Sequence, residues 1–96
     1  MLAKELNQND FNTVVRWIKR TDVDRLFQFS VMFGNALKRL KCRTRTRVLI
    51  PGVPEGSDHF DSGSLQEWLK SIKPEDKPAV QQVIILNAVI KNRLVG

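Results

Sequence analysis

The stretch PAVQQVIILNAVIKNRLV, residues 78–95, decides the fold. Val80, Val83, Ile84, Leu86, Ile90 and Leu94 recur at helical spacing and make one broad apolar face. Ile85 and Val89 fall on the other side, so a helix here is apolar nearly all round. Such a helix is either central in its fold or shared with a second chain. A strand over part of the stretch is the competing reading, because Val and Ile suit a pleated surface and periodicity does not resolve short apolar runs. Glu75 and Asp76 suit the positive end of a helix, and Pro78 is tolerated in a first turn. The helical reading therefore sets the expected class.

Upstream, Leu65, Trp68, Leu69 and Ile72 predict a short helix over about Leu65–Ile72. Ser64-Leu65-Gln66-Glu67 has the form of a capping box, and Pro74 breaks the helix. Residues 51–63 contain two Pro, three Gly and the acids Glu55, Asp58 and Asp61, and read as a polar loop.

Before that loop, Arg43-Thr44-Arg45-Thr46-Arg47 alternates with β-branched Thr and reads as extended, continuing into a short strand-like piece within 44–50. Continued helix is the alternative, and it aligns Arg39, Arg43 and Arg47. A long helix is expected from Thr21 to about Cys42, with Thr21-Asp22-Val23-Asp24 resembling a capping box. Its buried face is read as Val23, Leu26, Phe27, Phe29, Phe33, Ala36, Leu37 and Leu40. Gly34 is placed on that side, where it would let another helix come close. The first helix, about Asp10–Arg20, buries Phe11, Val14, Val15 and Ile18, with Asn7 or Asn9 as its N-cap. The expected fold is all-α: one domain over residues 1–96, a small bundle of three to four helices, a polar loop near 51–63 and an extended segment at 44–50.

Charge carries the functional signal. Sixteen Lys and Arg against ten Asp and Glu give +6, and the excess is uneven. Residues 1–48 hold eleven bases and four acids, while 49–96 hold five bases and six acids. Residues 38–47 hold six bases and no acid: Lys38, Arg39, Lys41, Arg43, Arg45 and Arg47. Guanidinium forks match phosphate oxygens, so this segment is the expected site for nucleic-acid phosphates. Arg16, Lys19, Arg20 and Arg25 extend it if the first two helices form a hairpin. Trp17 is read either as a stacking surface for bases or as core. A solvated basic face that only aids solubility is the bland alternative.

Two further readings compete. A protein-interaction module, an adaptor or inhibitor, would dock on an acidic partner surface, with Trp17 or the last helix as apolar anchor. A small anionic, nucleotide-like ligand would need a pocket. Ile85 and Val89 are the expected protein interface, and a homo-oligomer through the 78–95 helix would display them. A helix-turn-helix over the last two helices would leave only Gln81, Gln82 and Asn87 to read bases.

Enzymatic chemistry is not expected. His59 is the only histidine, and no Ser or Cys has a base in sight. Asp58-His59-Phe60-Asp61 matches no metal template and reads as turn chemistry; no metal or cofactor is expected. Cys42 is alone, so no internal disulfide forms. No signal peptide or membrane span is evident, and a cytoplasmic protein is expected.

Overall fold

The computed structural model describes residues 5–41 and 62–95. They form four helices, α1 Gln8–Arg20, α2 Val23–Arg39, α3 Ser62–Ser71 and α4 Lys77–Val95, with no strand among the described residues. The fold is a small all-α bundle.

Residues 78–95 are helical throughout, and α4 is central: α1 and α2 both pack on it, while α3 leans on α2. Ala79, Val80, Val83, Leu86, Val89 and Ile90 of α4 are all buried. Packing on two sides explains why the helix is apolar nearly all round, and it corrects the expected interface. Val89 is 3% exposed and Ile85 packs against the core, so the 78–95 helix presents no free face there for a homo-oligomer. The β-branched residues lower helix propensity by tenths of a kcal/mol each, while burying each gains roughly 1.5–3 kcal/mol.

Phe11, Val14, Val15 and Ile18 of α1 are buried as expected, and Asn7 is the N-cap, its side chain accepting from the Asp10 amide at 2.8 Å. Trp17 is half-buried and meets Phe29 edge-on, with ring centroids 4.8 Å apart. Thr21 is extended and closes α1 by donating its amide to the Trp17 carbonyl. The cap of α2 is therefore Asp22, whose carboxylate accepts from the Arg25 amide at 2.8 Å.

Leu26, Phe29, Phe33, Ala36 and Leu37 form the buried face of α2. Val23 and Phe27, expected in that face, are 56% and 61% exposed. Gly34 faces no helix either: a Cβ added there would meet nothing within 4 Å. α2 stops at Arg39 rather than Cys42 because Leu40 tucks into the core and Lys41 turns to φ 58°, the left-handed region that ends helices.

Ser62 and Gly63, expected in the loop, already belong to α3, which leaves Ser64 inside the helix rather than at its cap. The rest of the loop expected at 51–63, the extended segment at 44–50 and the Asp58–Asp61 cluster lie outside the described residues. Between α3 and α4, Asp76 is 5% exposed; its Oδ2 accepts from the Lys73 amide at 3.1 Å and its carbonyl from the Val80 amide at 2.9 Å. Pro78 is the second residue of α4, where a missing N–H costs nothing.

Candidate nucleic-acid interface

Bases mark the last turn of every helix: Lys19 and Arg20, Lys38 and Arg39, Lys70, and Arg93. Positive charge there complements the helix dipole. Part of the basic excess thus serves the helices themselves, and an anion approaching such an end must be held by side chains, since the exposed carbonyls repel it.

Two of these arginines reach across to close other helices. Arg39 donates from Nη2 to the Leu69 carbonyl at 2.7 Å and from Nη1 to the Ile72 carbonyl at 2.9 Å. Arg93 donates to the Ile18 carbonyl at 2.6 Å. These carbonyls sit where α3 and α1 run out of amide partners. Arg39, expected on phosphate, is therefore engaged in holding α3 against α2.

Lys38 and Lys41 are exposed at the same end of α2. Lys41 has a positive φ, a conformation that costs a residue with a Cβ roughly 1–2 kcal/mol. Leu40, 4% exposed, anchors the turn between them. Arg43, Arg45 and Arg47 follow in sequence and lie outside the described residues.

The flanking bases sit elsewhere. Lys19, Arg20 and Arg25 are exposed where α1 passes into α2. Arg16 is half-buried and donates to the Thr13 hydroxyl at 3.2 Å. Thirteen residues of α2 separate Arg25 from Lys38, about 20 Å at 1.5 Å per residue. The bases therefore form two groups at opposite ends of α2. No family model, curated protein or solved structure matches the chain.

Two of the three polar residues expected to read bases from α4 are taken up within the fold. Asn87 is 3% exposed, and its Oδ1 has no hydrogen-bond partner among the described residues. Gln82 grips the N-terminal segment: Oε1 accepts from the Leu6 amide and Nε2 donates to the Leu6 carbonyl, both at 2.8 Å. Only Gln81 of the three expected base readers is exposed. Of the expected anchors, Trp17 is taken up in packing against Phe29, while among the described residues the exposed aromatic is Phe27. A helical wheel carries the signal for Phe27, because residues 23, 27 and 31 recur four apart and turn away from 26, 29 and 33.

A groove of about 250 Å³ lies between α2 and α3, lined by apolar Met32, Ala36 and Leu69 and by polar Asn35, Arg39, Gln66 and Lys70. Among the described residues no cluster of three His, Cys, Asp or Glu stands close enough to hold a metal ion, and no helix is long and apolar enough to cross a membrane.

Proposed function

We propose that this is a non-enzymatic cytoplasmic protein that binds nucleic-acid phosphates with the C-terminal end of α2 and the arginines that follow it. The supporting observation is Lys41. A glycine would adopt its left-handed backbone without strain, yet the chain places a lysine there, exposed and three residues from exposed Lys38. Arg43, Arg45 and Arg47 continue the charge without an intervening acid. Binding through such groups is dominated by release of counterions from the nucleic acid and weakens steeply with salt. Arg39 contributes by fixing α3 beside this end and not by touching phosphate.

The test is fluorescence anisotropy of labelled single- and double-stranded DNA and RNA across a salt series. Tight binding with a steep salt slope is expected. The Arg43→Ala, Arg45→Ala, Arg47→Ala triple variant should abolish it. Binding that vanishes near physiological salt, or a triple variant with unchanged affinity, overturns the proposal.

A second reading, docking on an acidic protein surface, is favoured by Phe27, an aromatic 61% exposed on the helix that carries the bases. There the triple variant slows association, whereas Phe27→Ala speeds dissociation. The groove between α2 and α3 offers less to a small anion, because Arg39 already donates to two carbonyls.

A further inference from the structure

Val23, Phe27 and Val31 are 56%, 61% and 51% exposed and stand four residues apart, so they form one apolar ridge along the solvent side of α2. Ser30 and Gly34 lie beside the ridge, and at Gly34 the space for a side chain is open. Phe27 and Gly34 are two turns apart, a projection and a dent on one helix face.

The charges on this face are ordered. Exposed Asp24 lies at its N-terminal end and exposed Lys38 at its C-terminal end, both within about 60° of Phe27 at 100° per residue. A second copy of α2 laid antiparallel, about a two-fold axis between Ser30 and Val31, brings three matches at once. Phe27 of each copy meets Gly34 of the other. Val31 meets Ser30. Asp24 of each copy comes alongside Lys38 of the other. A parallel arrangement would instead set Asp24 against Asp24 and Lys38 against Lys38.

We propose that the chain forms a symmetric antiparallel dimer through the exposed face of α2, with Phe27 seated over Gly34 of the other copy and Asp24 paired with Lys38. A shallow crossing keeps the helix ends within reach of their opposite charges. The face is a single helix about 25 Å long and buries less than the ~800 Å² per partner of a standard interface, so the dimer is weak, on the order of micromolar. It does not depend on nucleic-acid binding.

Sedimentation equilibrium without nucleic acid tests it, from low micromolar into the hundreds of micromolar. Wild type should pass from monomer to dimer. Phe27→Glu should weaken the dimer at least about a hundredfold, because a central aromatic is lost twice by symmetry. Val31→Lys serves as a second probe, and since both side chains are exposed, circular dichroism should report an intact fold for each. Asp24→Lys and Lys38→Asp should each weaken the dimer about fivefold, and the double exchange should restore it. Wild type that stays monomeric throughout overturns the proposal, as does dimerisation indifferent to Phe27→Glu. Single charge reversals without effect overturn the antiparallel register.

Discussion

Nη2 of Arg39 lies 2.7 Å from the carbonyl oxygen of Leu69, so a residue of α2 completes the end of α3. With the second bond to Ile72, the guanidinium fork holds two carbonyls that no helical amide reaches. Arg39→Ala should cost about 1–2 kcal/mol, less than the ~3–6 kcal/mol of two fully buried charged hydrogen bonds, because Arg39 is exposed and water can replace it. Lys38→Ala should stay within about 0.5 kcal/mol of wild type. Urea denaturation separates the two, and equal midpoints would show that the fork adds nothing.

Lys41 should respond in the opposite direction. Lys41→Gly removes the steric cost of its positive φ and should stabilise the protein by about 1 kcal/mol. The same change should weaken nucleic-acid binding and reduce its salt slope by about one unit. A thermal melt and a salt titration of one variant test both statements, and a destabilised variant would contradict the first.

Asn87 buries an acceptor, Oδ1, with no hydrogen-bond partner among the described residues. Asn87→Leu keeps the branched outline at Cγ without the polar atoms; with its added bulk offsetting part of the gain, it should stabilise the protein by up to about 1 kcal/mol, which raises Tm by no more than roughly 4–8 °C in a domain of this size. Asn87→Asp should do the reverse, because a charge would replace the amide at 3% exposure. Calorimetry on both variants checks the pair.

Gln82 uses both ends of its amide on Leu6, donating and accepting at 2.8 Å. Gln82→Glu keeps the acceptor and loses the donor, so the Leu6 carbonyl faces a carboxylate. Faster amide hydrogen exchange at Leu6 is expected, with a loss of about 1 kcal/mol in global stability. Unaltered exchange at Leu6 would show that the segment is held by other means.

The all-α class was legible in the sequence, because Val80, Val83, Leu86 and Ile90 keep a helical period; whether α4 is central or shared with a second chain was not, and only the packing of α1 and α2 against it places Val89 in the core. Helix ends were read less well. Thr21 and Asp22 are both good caps, and only the backbone shows that Thr21 ends α1 while Asp22 begins α2. The Ser64 capping box misled in the same way, since α3 starts two residues earlier. Phe27 was assigned to the core by its chemistry, although its angle on the wheel points elsewhere. At the site, the identity of Arg39 could not reveal its role: the carbonyls that hold it belong to residues 30 and 33 positions later. Lys41 could not be distinguished from its neighbours before its φ was known.

Arg93 closing α1 at Ile18 has a consequence for how the protein is made. α1 and α2 pack chiefly on α4, the last of the four helices to be synthesised. A nascent chain that lacks residues 77–95 therefore holds Phe33, Leu26 and Ile18 with their principal cover missing. It emerges with unsheltered apolar helices for as long as translation takes to reach Arg93, a few seconds at about 5–20 residues per second. A pause in synthesis before residue 77 would lengthen that exposure.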